Sequence, residues 1–186
     1  MLEGVPLCPG FFSHLSWRRF VARLNSSVRS SMFCRTDYDK LVQTEGSRLQ
    51  QLGAYRGLYY VCYPQYAFQV PDGEESIRIA RAPKSIDDNG LRFWLAAELT
   101  DDWRGRETYQ YSYLSDAYFE PIDEQQFNDL VATHCSGLIV PPMLPLARDQ
   151  VFLGALLMYS MKTEFFVSAI AEYENEYIHF AWETTA

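Results

Sequence analysis

The clearest pattern of hydrophobic and polar positions lies at the end of the chain. Residues 164–171 and 177–183 each alternate between apolar and polar or small side chains, and the polar run 172–176 separates them. This pattern predicts a β-hairpin over residues 164–184. Three large apolar residues of its second arm share one face, because side chains alternate along a strand: Ile178, Phe180 and Trp182. We predict that this face belongs to the core and that the other face is solvated or covers another element.

Helical periodicity predicts three helices. Ser13 can cap an amphipathic helix in which apolar residues recur every three or four positions, at Trp17, Phe20, Val21 and Leu24. A second helix is predicted from Thr36 to Leu52, with Gly53 after its end. A third is predicted from about Asp123 to Gly137.

The segments between these helices are rich in residues that favour strands. Residues 58–63, 65–70 and 76–81 have the composition or the alternation of strands, and Pro71 to Gly73 has that of a turn. Residues 91–99 alternate, which favours a strand over a short buried helix. Residues 108–114 place three tyrosines on one side of an extended chain, and residues 151–158 are apolar enough for a buried strand or helix.

These elements predict an α+β fold. We expect one domain over residues 1–186, with a mainly antiparallel sheet of about six or seven strands, packed by about three helices and ending in the C-terminal hairpin. Hydrophobic residues make up 48% of the chain and charged residues 22%, which is typical of globular proteins rather than disordered ones.

Membrane insertion and secretion are not indicated. The longest apolar run covers residues 151–159, whereas a membrane helix needs about 20 residues. Cys8, Cys34, Cys62 and Cys135 show no paired spacing, and no secretory signal precedes them. We therefore expect reduced thiols and a cytoplasmic protein.

Charge is distributed unevenly along the chain. Residues 1–36 contain five arginines and one acid, Glu3, whereas the whole chain carries a net charge of −8. We expect the basic segment 1–35, with its amphipathic helix, to dock on the acidic body; a sorting signal within this segment is the alternative. The acidic body should repel nucleic acid and attract a basic protein partner.

Motifs for catalysis and cofactor binding are missing. No Cys-x-x-Cys or His-x-x-x-His spacing indicates a metal, and no glycine-rich phosphate loop occurs. Cys34 stands beside Arg35, where a thiolate would be stabilised, but no histidine is paired with it in the sequence. We predict no cofactor, no metal site and no catalytic residue.

One stretch does suggest recognition. The segment from Asp101 to Glu124 combines acids with tyrosine and tryptophan, the side chains that dominate many protein-binding surfaces. The alternative is that the tyrosines line the core and the acids form an ordinary solvated loop. The predicted partner-binding residues are Asp101, Asp102, Trp103, Glu107, Tyr109, Tyr111, Tyr113, Asp116, Tyr118 and Glu120.

No motif discloses a specific function. From charge and composition we predict a small acidic module that recognises, and neutralises, a basic protein partner; an immunity protein against a cationic toxin is one example. The alternative is an enzyme or small-molecule binder with a pocket lined by tyrosine and tryptophan. A convex aromatic surface would favour the first hypothesis, and a cavity would favour the second.

Overall fold

The C-terminal hairpin forms the centre of a six-stranded sheet. The computed structural model describes residues 32–45, 53–70, 74–100, 107–142, 150–160 and 165–184. In these ranges the α-helices are α1 (Arg35–Glu45), α2 (Leu91–Glu98), α3 (Glu107–Ser115) and α4 (Glu124–Cys135). The strands are β1 (Tyr59–Tyr63), β2 (Ser76–Pro83), β3 (Tyr118–Ile122), β4 (Phe152–Tyr159), β5 (Phe166–Tyr173) and β6 (Glu176–Glu183).

All neighbouring strands pair antiparallel, in the order β1-β2-β6-β5-β4-β3. The α+β class and the hairpin are therefore confirmed. β5 and β6 pair from Phe166 opposite Glu183 to Glu172 opposite Tyr177. The sequence left open whether residues 151–158 form a strand or a helix. The structure shows a strand here, β4, over Phe152–Tyr159.

Both faces of β6 are buried. Ile178 and Phe180 pack with residues of α4 on one face, whereas Tyr177 packs with residues of α1, α2 and α3 on the other. His179 shares the face of Tyr177 and is 0% exposed. The prediction left open a solvated second face, but helices cover both sides of the sheet.

The prediction of a strand over residues 91–99 was wrong, because this stretch forms α2. Asp88 stabilises the start of the helix: its carboxylate accepts hydrogen bonds from the backbone N–H groups of Arg92 and Phe93, at 3.1 and 3.3 Å. Gly90 precedes the helix with a φ of 90°, a left-handed conformation that favours glycine. The side chains from Phe93 to Glu98 are all buried. Because a buried strand and a buried helix are both apolar on every side, the alternation of the sequence did not distinguish a strand from a helix.

Residues 107–115 also form a helix rather than an extended segment. Each residue of an α-helix advances by about 100°, so alternate tyrosines cannot share one face. The start of α1 packs against the end of α3. The Tyr38 hydroxyl donates to the Leu114 carbonyl, and the Arg35 guanidinium donates to the carbonyls of Ser115 and Ala117.

The helix predicted from about Asp123 is confirmed as α4. The Asp123 carboxylate accepts from the Gln126 backbone N–H and the Gln126 side chain accepts from the Asp123 backbone N–H, both at 2.9 Å. This reciprocal cap explains the sharp start of the helix. Phe127 and Val131, one turn apart, are buried against the sheet.

Two helix predictions extend beyond the described residues. The second predicted helix corresponds to α1 over Arg35–Glu45, and its remaining residues, 46–52, lie outside the described ranges. The predicted amphipathic helix after Ser13, and the whole basic segment up to residue 31, also lie outside them. Among the helices that are described, none has the combined length and apolar character that crossing a membrane requires.

Candidate functional site

The predicted partner-binding residues fall into three groups. Asp101, Asp102 and Trp103 lie outside the described residues. Glu107, Tyr109 and Tyr111 belong to α3, and their side chains lie outside the description. The remaining four are Tyr113, Asp116, Tyr118 and Glu120, of which all but Tyr113 are exposed.

Tyr113 belongs to the core. Its side chain is 5% exposed, its ring packs edge-on against Phe166 with centroids 5.3 Å apart, and its hydroxyl donates to Oε2 of Glu98 at 3.1 Å. The assignment of Tyr113 to a binding surface was therefore wrong. The physical reason is the helical turn of α3, which directs this residue toward the sheet.

The exposed part of the predicted surface lies at one edge of the sheet. We call it the acidic edge and define it by five exposed residues: Asp116, Tyr118, Glu120, Asp123 and Glu124. Tyr118 is 58% exposed on β3, the outermost strand. It faces Tyr159 of β4, with ring centroids 6.4 Å apart. Burial raises the pKa of Tyr159, and the nearby Glu120 carboxylate raises it further.

The acidic edge belongs to a stretch without positive charge. From Glu107 to Ala147 the sequence contains six acids and no lysine or arginine. Arg35 lies next to the acidic edge, because it binds the carbonyls on both sides of Asp116. The Arg35 guanidinium also forms an ion pair with Asp39 at 2.8 Å, so the positive charge of Arg35 is partly neutralised by Asp39.

Pro121 lies within β3, the outermost strand of the sheet. Proline has no backbone N–H and is confined in sheets chiefly to edge strands, which fits this position.

A second group of polar residues is buried between α2 and the sheet. Glu98, Ser168 and His179 are between 0% and 1% exposed. The Ser168 hydroxyl donates to Oε1 of Glu98 at 2.7 Å, and Nε2 of His179 lies 2.9 Å from the Ser168 oxygen and 3.0 Å from the same Glu98 oxygen. We call these three residues, together with Tyr113, the buried polar cluster.

The cluster differs from a Ser-His-Asp site. With the serine proton donated to Glu98, a proton on Nε2 of His179 lets the ring donate toward the serine oxygen. A histidine that carries a proton on this nitrogen cannot act as the general base for the same serine. In serine hydrolases the acid binds the other ring nitrogen, Nδ1, which has no hydrogen-bond partner in the described part of this chain.

The charges in the cluster favour an ionised Glu98. Burial acts to raise the pKa of this carboxyl, but the charge and hydrogen bond of His179, together with Arg78 and Ser168, outweigh it and hold the pKa below its usual value. The cluster is thus a buried carboxylate satisfied by neighbouring donors. This arrangement attaches the end of α2 to β5 and β6.

The sequence contained a weak signal for this cluster. Glu98 ends an otherwise apolar stretch, and Ser168 and His179 occupy alternating positions in arms of the predicted hairpin. His179 lies on the face that the sequence left open to solvent or to another element, and the structure buries all three residues. Their contact depends on the pairing of β5 with β6 and on the helix at 91–98, and the helix was not predicted.

A pocket of about 370 Å³ lies between α4 and the sheet. Phe127, Val131, Cys135 and Ile178 contribute apolar side chains to its lining, and Tyr173 contributes an aromatic ring. Burial raises the pKa of the Cys135 thiol to about 11, so it stays protonated near neutral pH. The predicted alternative was a pocket lined by tyrosine and tryptophan, whereas the described residues that line this one include a single tyrosine, Tyr173, and no tryptophan.

The candidate thiolate at Cys34 has a structural explanation. Its backbone N–H and its thiol both donate to Oδ2 of Asp37, at 3.0 and 3.3 Å. Both hydrogen bonds lower the pKa of Asp37, and the bond from the backbone N–H has the larger effect. In the ranges that the structure describes, no group of three or more His, Cys, Asp or Glu side chains is arranged to hold a metal ion.

Comparison with known proteins identifies no relative: no protein-family model, no curated protein and no solved structure matches the chain.

Proposed function

We propose that the protein is a binding module that recognises a basic protein partner through the acidic edge. One observation carries this proposal: Tyr118, 58% exposed on the outermost strand, stands between the exposed acids Asp116 and Glu120. An exposed tyrosine supplies contact area at a small entropic cost and can also form a hydrogen bond. The flanking carboxylates steer a positively charged surface toward it.

The charge of the chain supports the class of partner. The net charge is −8, and the 41 residues from Glu107 to Ala147 contain no lysine or arginine to neutralise the six acids among them. Such a surface attracts a basic protein over about a Debye length, which is about 8 Å at physiological salt. It repels the phosphates of nucleic acid, so we do not expect nucleic-acid binding.

A neutralising role is the specific form that we propose. An immunity protein that covers the basic active site of a cationic toxin in the cytoplasm needs acidity and an exposed aromatic anchor, but no catalytic group of its own.

The test compares two variants with the same change in charge. The first carries Asp116→Lys and Glu120→Lys in the acidic edge, and the second carries Asp87→Lys and Glu174→Lys at exposed positions elsewhere. Tagged proteins are used to capture partners from the native lysate at low and high salt, and bound proteins are quantified by mass spectrometry. The expected partner is basic, stoichiometric and salt-sensitive, and it is lost only from the acidic-edge variant.

A third variant tests the aromatic contact separately from charge. Tyr118→Ser should weaken binding of the captured partner by about tenfold or more, the effect typical of an aromatic anchor. The salt dependence of the remaining binding should be unchanged. Equal capture by all variants, or equal loss from both lysine variants, would show that the acidic edge does not bind a specific partner.

A further inference from the structure

We propose that the pocket between α4 and the sheet is a binding site for a small uncharged molecule with an apolar, two-ring-sized body and one hydrogen-bond acceptor directed at the Tyr173 hydroxyl. This site is separate from the acidic edge and does not depend on the proposed function. The proposal is based on the size of the pocket, its lining and an unpartnered hydroxyl.

The size of the pocket sets the size of the ligand. Its volume is about 370 Å³. An apolar cavity of about 150 Å³ can hold one benzene ring, so this pocket has room for about two rings. It falls at the lower end of the range for small-molecule sites, roughly 300 to 1,000 Å³.

The lining of the pocket defines its chemistry. Phe127 and Val131 of α4 and Ile178 of β6 are buried core residues, and Cys135 adds a protonated thiol. Pro141 provides part of a rigid wall after α4. Contact with this surface favours an aromatic or alicyclic body, because apolar area is removed from water on binding.

Tyr173 supplies the specific contact. Its side chain is 3% exposed and lines the pocket, and its hydroxyl makes no hydrogen bond to any group that the structure describes. This oxygen is not one of the described buried polar atoms that lack a partner, so it keeps contact with solvent, and a ligand acceptor would replace water as its partner. Burial, followed by the charges of Glu124 and Glu176, raises the pKa of this hydroxyl, so it remains a donor.

The lining also favours an uncharged ligand. A charged group would have to lose its water in a pocket whose walls are mainly apolar, which is costly. The acceptor is therefore an uncharged group, such as a carbonyl, an ether or a ring nitrogen.

Quinoline and naphthalene form a matched pair of probes for the full chain. The two have the same bicyclic shape, but only quinoline carries an acceptor nitrogen, and it is uncharged at pH 8. Titrations followed by amide chemical shifts should map both probes to the residues around Val131, Cys135 and Tyr173. We expect the affinity of quinoline, but not that of naphthalene, to depend on the Tyr173 hydroxyl by up to about tenfold, the effect of one hydrogen bond.

Three variants separate the contributions of the hydroxyl and the cavity. Tyr173→Phe should weaken quinoline binding by up to about tenfold and leave naphthalene binding unchanged. Ala132→Trp, at an exposed position lining the pocket, should abolish binding of both probes, whereas Gln125→Trp, exposed on α4 but not lining the pocket, should have no effect. Thermal unfolding verifies that each variant is folded. Shifts that map elsewhere, an unchanged quinoline affinity in folded Tyr173→Phe, or no binding by the folded wild type would overturn the proposal.

Discussion

Nε2 of His179 lies 3.0 Å from Oε1 of Glu98, although 81 residues separate the two in the chain. Both side chains are essentially inaccessible to solvent, at 0% and 1%. Their contact joins β6, at the centre of the sheet, to the last turn of α2. The same Glu98 oxygen accepts from Ser168 of β5, so one carboxylate holds a helix against both arms of the hairpin.

Removing this carboxylate should be strongly destabilising. Glu98→Ala would leave the His179 ring and the Tyr113 and Ser168 hydroxyls buried without their acceptor. The expected loss in the free energy of unfolding is about 3–5 kcal/mol, the range for breaking a buried charged pair. Urea unfolding measures it, and Glu174→Ala at the exposed hairpin turn should stay within about 0.5 kcal/mol of the wild type. A small loss for Glu98→Ala would mean that the cluster is not the main contact between α2 and the sheet.

The hairpin and α4 could be predicted because their signals are local. Strict alternation defines β5 and β6, and a reciprocal cap between Asp123 and Gln126 defines the start of α4. The helix α2 could not be predicted in this way. Its residues are buried around nearly the whole circumference, so the polar face that reveals a helical period is missing.

The buried polar cluster could not be predicted for a related reason. It depends on long-range geometry: the β5–β6 register brings Ser168 near His179, and α2 brings Glu98 to both. Neither the burial of these polar residues nor the partners they find could be read from the sequence. The acidic edge was easier to find, because Asp116, Tyr118 and Glu120 are close in the chain and their exposure follows from an edge strand.

The stability supplied by Glu98 should depend on pH in the acidic range. Its pKa in the folded protein is held below the ordinary value of 4.5, chiefly by His179 acting against the effect of burial. A depressed folded pKa contributes stability that is fully present above the unfolded pKa and is lost as pH falls through the folded value. The difference in unfolding free energy between wild type and Glu98→Gln should therefore be constant above about pH 5 and shrink below pH 4.5.

The measurement is a series of urea titrations on both proteins from neutral to acidic pH. The exposed variant Glu174→Gln serves as the control, and its difference from wild type should vary much less over the same range. A difference for Glu98→Gln that grows as the pH falls would contradict an ionised Glu98 in the folded state.

The cysteines should differ sharply in their reactivity. Burial raises the pKa of Cys135 from 9.0 to about 11, which lowers its thiolate fraction about 100-fold at pH 8 relative to an ordinary thiol. Cys34 and Cys62 are exposed. Alkylation with iodoacetamide followed by peptide mass spectrometry should modify these two in the native protein, and Cys135 only after denaturation. Rapid native modification of Cys135 would show that the α4 face of the sheet opens readily.

Arg35 should be important for attaching α1 to the rest of the molecule. Its guanidinium donates to the carbonyl of Ser115 at 3.0 Å and to that of Ala117, at the end of α3 where helix carbonyls lack partners. Arg35→Ala should reduce the free energy of unfolding by about 2 kcal/mol, since hydrogen bonds to a charged group are lost.

Two further variants separate these hydrogen bonds from the ion pair that Arg35 makes with Asp39. Asp39→Asn removes a partly exposed pair and should cost less than about 1 kcal/mol. Arg35→Lys keeps the charge, but a single ammonium group cannot reproduce the planar fork that reaches two carbonyls, so it should recover only part of the loss. If Asp39→Asn were as destabilising as Arg35→Ala, the ion pair rather than the contact with α3 would be the main role of this arginine.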